Sequence, residues 1–182
     1  MQNLLNEVNS KLQDLINDTD NNNAKDVKRT KNYLSALSEH IDSIKRERNF
    51  VLSEEQKSMI KRGNIVWVDF GFNIGSEFGG RHPAIILRTF IGSDAITVIP
   101  VDSSPIDQKI LNKRKTKGYW VEISNIYNMS FRPRWVNTLR VTTVSVIRVD
   151  LTKLSNAYVD QQTLLNIDNS IMKYSYHPIV NK

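Results

Sequence analysis

Two side chains of complementary chemistry stand side by side in the segment Gly79-Gly80-Arg81-His82-Pro83. Arginine offers a planar fork of donors that stays protonated, suited to the charge that builds on a phosphorus under substitution. Histidine titrates near neutrality and can take or give a proton. Ser103, in the run Val101-Asp102-Ser103-Ser104, adds a hydroxyl donor. Gly79-Gly80 permits close backbone approach to a phosphate. Each feature also has a plainer reading: a packed turn histidine, a turn serine, glycines that only let the chain bend. His40, His82 and His177 are too dispersed to make a zinc site by spacing, and with no cysteine the chain has neither disulfides nor thiolate metal sites.

A second constellation is electrostatic. Within 109–140 lie Lys109, Lys113, Arg114, Lys115, Lys117, Arg132, Arg134 and Arg140 against Glu122 alone, eight charges to one and a net of +7. That field attracts a polyanion, with nucleic acid the first expectation, and the interleaved Tyr119, Trp120 and Trp135 offer stacking surfaces for bases. The alternative is a solvated basic loop. The N-terminal segment has neither a basic n-region nor an apolar h-region, and no apolar run approaches a membrane span. The expectation is a cytoplasmic protein with no membrane partner and no cofactor.

These residues must be positioned by a chain of 182 residues that changes grammar near residue 63. Before that point the pattern is helical. Leu4, Leu5, Val8, Leu12, Leu15 and Ile16 recur at three- and four-residue steps; a polar turn spans 18–23; Val27, Leu34, Leu37, Ile41 and Ile44 form a short heptad seam. Two amphipathic helices joined by a polar turn predict an antiparallel hairpin over 1–52. Ser53-Glu54-Glu55-Gln56 predicts a capping box, with a helix running to Arg62 and Gly63 as its left-handed end. Beyond it, 64–70, 84–90, 95–101 and 119–123 read as strands, and 135–149 as one or two more. Short strands separated by turn signals predict a small barrel. Asp160 reads as the cap of a last helix that Pro178 stops. The fold class is α+β: a helical hairpin extension (1–52), then a barrel domain with a C-terminal helix (53–182).

The order of motifs from Arg62 carries a resemblance. Arg62-Gly63-Asn64-Ile65-Val66-Trp67-Val68-Asp69-Phe70 is followed by Gly75-Ser76-Glu77-Phe78-Gly79-Gly80-Arg81-His82-Pro83 and then by Ala84-Ile85-Ile86-Leu87. This resembles the opening of the MazF/PemK (Kid) toxin family: an R-G-D-I/V-W-x-V-D strand, a G-S-E-x-G-G-x-R-P turn and an apolar strand. Val98–Ser104, Asn137-Thr138-Leu139-Arg140 and the segment 167–172 extend the likeness over about 61–176. The resemblance implies an SH3-like β-barrel, a homodimer, and a metal-independent endoribonuclease toxin of a type II toxin–antitoxin pair acting on single-stranded RNA. It also implies a cognate antitoxin, and operator DNA met through the antitoxin complex.

Read together with the chemistry of the residues themselves, this makes Arg81, His82 and Ser103 the expected catalytic residues, with Gly75, Ser76, Glu77, Gly80, Lys113, Arg114, Lys115 and Arg140 binding substrate and no metal. Arg81 and Ser103 would stabilise phosphorane charge, His82 would be the acid/base group, and the 109–117 loop with Arg140 would track the RNA backbone. Glu77 either contacts substrate or accepts turn amides. One departure stands out. The family places a catalytic arginine just before the proline, where this chain has His82, with Arg81 one place earlier. Neighbours on an extended segment face opposite ways, so Arg81 does not simply replace it. The alternative reading is therefore a non-catalytic nucleic-acid-binding module on the same barrel.

Overall fold

The computed structural model describes residues 1–75, 78–90, 92–130, 132–153 and 155–175. The chain opens with α1 (Gln2–Asn17) and α2 (Ala24–Glu47), joined by the expected polar turn. Asn23 caps α2, its side chain accepting from the amides of Lys25 and Asp26 at 3.1 and 3.3 Å. The helices form, but they do not bury the apolar face expected of a packed hairpin. Neither has a fully buried residue, and Leu4, Leu5, Val8, Leu15 and Ile16 of α1 stay exposed.

Both arms of the capping box at Ser53 are present. The Ser53 hydroxyl accepts from the Gln56 amide at 3.2 Å, and the Gln56 side chain accepts from the Ser53 amide at 2.9 Å. Helix α3 (Glu54–Met59) is shorter than expected. Ile60 leaves the helical region, and Gly63, at φ +88°, turns the chain into the sheet, its amide donating to the Ile86 carbonyl at 2.8 Å. The left-handed glycine thus begins the first strand rather than ending the helix.

Strands β1 (Ile65–Asp69), β2 (Arg81–Thr89) and β3 (Ala95–Ser103) form an antiparallel meander. Helix α4 (Gln108–Thr116) precedes β4 (Trp120–Ile123), β5 (Arg134–Asn137) and β6 (Thr142–Ser145), and α5 (Gln161–Ser175) ends the described chain. The sheet runs β1-β2-β3-β5-β4, with β6 also on β3. One edge of β3 is shared: Ala95–Val98 pairs β6, and Val101–Ser103 pairs β5. A strand that serves two partners on one edge must bend, and the sheet curls. A bridge between Val68 and Val149, and the Asp150 amide donating to the Trp67 carbonyl at 2.9 Å, bring the ends toward each other without a full ladder. The barrel is therefore open along one seam.

Both faces of the meander are buried, so its strands read as apolar runs rather than alternating ones. One face carries Val66, Val68, Ala84, Ile86, Ile96 and Val98, with Val146 and Val149 packed in. The other carries Ile65, Ile85, Leu87, Ile99, Val101, Ile123 and Val136, roofed by Leu164 and Ile167 of α5. Full burial of each such side chain contributes about 1.5–3 kcal/mol. Asp160 caps α5, accepting from the Thr163 amide at 2.8 Å, which holds its carboxyl below the usual range. Pro178, the expected stop of that helix, lies outside the described residues.

Candidate functional site

Strand β2 begins three residues earlier than the sequence pattern suggests and takes in Arg81, His82 and Pro83, paired with Asp69, Val68 and Trp67. Extended backbone sends Arg81 and His82 to opposite sides. Arg81 forms an ion pair with Asp150 on the segment after β6. It lines two polar clefts of about 490 and 440 Å³ between α2 and the barrel, which Glu39 lines from the helix. Helix α2 is held there by Tyr33, edge-on to Phe72 at 5.2 Å, with Arg29 5.9 Å from the same ring.

His82 faces the other way, against Phe78, with ring centroids 4.5 Å apart. The guanidinium of Arg140 lies 4.9 Å from that same Phe78 ring. An open cleft of about 520 Å³ runs from Phe78 and Arg140 over Thr142, Thr143 and Ser145, and no α2 residue lines it. The fold thus brings His82 and Arg140 onto one aromatic wall and takes Arg81 away from it.

Arg140 sits on the 3-10 turn Thr138–Arg140 between β5 and β6. A clasp beneath fixes that turn. The hydroxyls of Thr138 and Ser170, both buried, are 3.0 Å apart; Thr138 Oγ1 also reaches the Tyr119 carbonyl (3.1 Å), and Ser170 Oγ the Gly118 carbonyl (2.9 Å). Two hydroxyl protons are shared among these three approaches. Helix α5 thereby holds the start of β4, with Trp120, and the turn bearing Arg140.

The next layer is ionic. Asp102 Oδ2 accepts from Arg140 Nη1 at 3.2 Å and lies 3.7 Å from Arg114 Nη2. Arg114 stacks on Trp120 at 4.0 Å and donates to the Ser103 carbonyl at 3.2 Å. Burial lowers the Arg114 pKa; Asp102 raises it and Arg140 lowers it. Ser103 itself is exposed at the end of β3, and alternation places its side chain opposite Asp102.

The segment read as a basic loop is helix α4. Asp107 caps it, accepting from the Lys109 amide at 2.7 Å, and Leu111 and Arg114, one turn apart, are its half-buried anchors. The helix was hidden by its composition, with two apolar residues in nine positions. Lys109, Lys113, Lys115 and Lys117 are exposed, as is Arg132. Arg134 is buried, with burial and then Arg132 lowering its pKa. Trp135 is 2% exposed, which removes it from the expected base-stacking surfaces. Tyr119 and Trp120 are half-buried.

The glycines have local reasons. A Cβ at Gly79 would lie 2.9 Å from the Gly71 carbonyl oxygen, and Gly80, at φ +80°, donates to that carbonyl at 2.7 Å. Gly75 is at φ +65° with open space around it. Ser76 and Glu77 lie outside the described residues. Asp102 and Phe78 were missed as site residues. The signal for Asp102 was its place one residue before Ser103, on the face that His82 shares.

Residues 61–174 match the family described as the PemK-like, MazF-like toxin of type II toxin–antitoxin systems. Among solved structures, the chain is similar to MazF of Deinococcus radiodurans, at 18% identity, covering 64% of this chain and 96% of that one, with a TM-score of 0.46. It is also similar to a mycobacterial endoribonuclease in complex with its cognate antitoxin (12% identity, 64% and 95% covered, TM-score 0.42). A third is Mycobacterium tuberculosis toxin MazF-mt6 (14% identity, 62% and 94%, TM-score 0.42). No curated protein sequence matches the chain.

Proposed function

The chain belongs to the PemK-like, MazF-like toxin family of type II toxin–antitoxin systems, and on that premise we propose that it is a metal-independent endoribonuclease acting on single-stranded RNA. The observation that carries this reading is the shared Phe78 ring: His82 and Arg140 both pack against it, and Phe78 and Arg140 line an open cleft. An acid/base group and a guanidinium beside it are two of the parts that attack of a 2′-hydroxyl on the adjacent phosphate requires.

In this reading the His82 imidazole takes the 2′-hydroxyl proton as that oxygen attacks the adjacent phosphorus. Arg140 faces the charge that develops on the equatorial oxygens. The bond to the 5′-oxygen breaks, that oxygen leaves protonated from water, and the products carry 2′,3′-cyclic phosphate and 5′-hydroxyl ends. Arg140 thus supplies the guanidinium missing from position 82, while Arg81 braces the segment after β6 through Asp150. The Ser103 hydroxyl and the 75–77 turn contact substrate at the rim. Exposed lysines of α4 hold the backbone. Residues 53–182 act as the catalytic unit in a cytoplasmic homodimer, and a cognate antitoxin, with operator DNA met through it, covers the open cleft. Residues 1–52 brace the β1–β2 loop through Tyr33 and Phe72.

A second reading, a binding module without catalysis, is favoured by the Asp102 carboxylate that already engages Arg140. One experiment separates them. The full chain is incubated with a long unstructured RNA in EDTA, and the ends are mapped. Cyclic phosphate ends support the ribonuclease; intact RNA that nevertheless shifts on a gel supports the binding module.

A further inference from the structure

We propose that Asp102 is the positioning residue of this site: it aims Arg140 at the scissile phosphate, gives that arginine up to the phosphate, and keeps Arg114. The proposal rests on the ribonuclease reading above.

Placement comes first. Ala84 of β2 pairs with Pro100 of β3. Two residues from that pair, toward the same end of the sheet and on the same face, stand His82 and Asp102. The carboxylate therefore shares the face of the acid/base group, and it is half-buried there. Along it the Phe78 and Trp120 rings alternate with two guanidinium groups, and His82 stands at one end. His82 lies on Phe78, Arg140 lies near Phe78 and, at 5.8 Å, Trp120, and Arg114 lies on Trp120. One oxygen, Oδ2, serves both guanidinium groups.

The charges do not balance. Two arginines face one carboxylate, leaving one positive charge, the complement of a single phosphodiester. The two arginines are also held unequally. Arg114 has the Ser103 carbonyl and the closer ring besides Asp102, and its side chain is 16% exposed. Arg140, at 34% exposed, has Asp102 as its one hydrogen-bond partner among the described residues. An arriving phosphate therefore draws off Arg140, while Arg114 stays and keeps α4 latched beside the cleft. Before substrate arrives, Asp102 restricts Arg140 to the orientation from which it turns. A 1 Å error in such a group costs about a hundredfold in rate.

A carboxylate with this role opposes RNA binding and favours turnover, and a merely structural ion pair does not separate the two. The test compares the full-length protein with Asp102→Asn and Asp102→Glu. Binding is measured on an all-DNA copy of the substrate, which lacks the attacking hydroxyl, and the cleavage rate at saturating RNA in EDTA. For Asp102→Asn, binding should tighten roughly fivefold, the weight of one unit charge about 4 Å away in water, while the saturating rate falls about a hundredfold. Asp102→Glu, which keeps the charge and moves it, should bind like the unaltered protein and cut at an intermediate rate. Weaker binding together with slower cutting, or an unchanged rate, overturns the proposal. If Asp102→Asn does not fold, Asp102→Glu decides: a slower rate at unchanged affinity supports the proposal, and any other result overturns it. An unaltered protein that leaves RNA intact overturns the ribonuclease reading, and this proposal falls with it.

Discussion

Arg81 and His82 are adjacent in one strand and end in different surroundings. On the Arg81 side the cleft is roofed by α2, and the guanidinium is matched by Asp150. On the His82 side the imidazole shares the Phe78 ring with an arginine from a distant turn, and that ring and that arginine line an open cleft. A side chain's chemical potential is thus set by what it is folded against. A guanidinium already paired to a carboxylate has little left to offer a substrate, whereas one shared with a second arginine on a single carboxylate has charge to spare.

Truncating each side in turn puts that contrast under the greatest strain. His82→Ala and Arg140→Ala should each lower the saturating rate of RNA cleavage by roughly 10²–10⁴-fold. Arg81→Ala should lower it by less than about tenfold and reduce unfolding free energy by about 1 kcal/mol, in keeping with a half-exposed ion pair. Equal losses at Arg81 and His82 would collapse the distinction.

The basic surface refines it next. Replacing Lys109, Lys113 and Lys115 with glutamine should weaken RNA binding about tenfold at moderate salt. It should also flatten the salt dependence by roughly 2, about 0.7 for each single-strand phosphate that a lysine no longer neutralises. Arg114 is left in place because it turns inward. An unaltered slope would make α4 a solvated surface and leave the open cleft without a grip on the RNA backbone.

The smallest effect is expected away from both clefts. Asp160→Ala removes the α5 cap, costing about 1 kcal/mol, and should leave cleavage unchanged. The folded-state pKa of Asp160 is depressed, so its contribution is present above the unfolded pKa and is lost as pH falls through the folded one. Denaturation curves of the two proteins should therefore converge in acid. A gap that persists there would mean the loss is packing rather than charge.

Much of the fold was legible. The helical spacing of Leu4 to Ile16, the capping box at Ser53, the cap at Asp160 and the apolar runs of β1 to β3 all carried local signals. Helix α4 was not legible, because a lysine-rich helix anchored by Leu111 and Arg114 shows no apolar stripe. Nor was the exposure of α1, since a periodic pattern states which face seeks cover and not whether cover is present. Of the site, His82 and Arg140 could be picked out singly. Their meeting on Phe78 depends on a curled sheet and on the Thr138–Ser170 clasp, which are long-range and leave no trace in spacing. Trp135 shows the same limit: its type suggested a stacking surface, and the pairing of β5 with β3 and β4 buried it.

The shared edge of β3 has a consequence for synthesis of the chain. The β1–β2–β3 meander is complete once Ser103 has emerged, but β5, which covers the end of that edge, begins at Arg134. At 5–20 residues per second the ribosome takes about 2–6 s to make the stretch between. During that interval an apolar strand presents unpaired backbone groups to any neighbouring nascent chain. The segment emerging in that window is α4, with Lys109, Lys113 and Lys115 on its surface. The lysines proposed to hold substrate in the finished protein would, seconds earlier, keep like-charged copies apart.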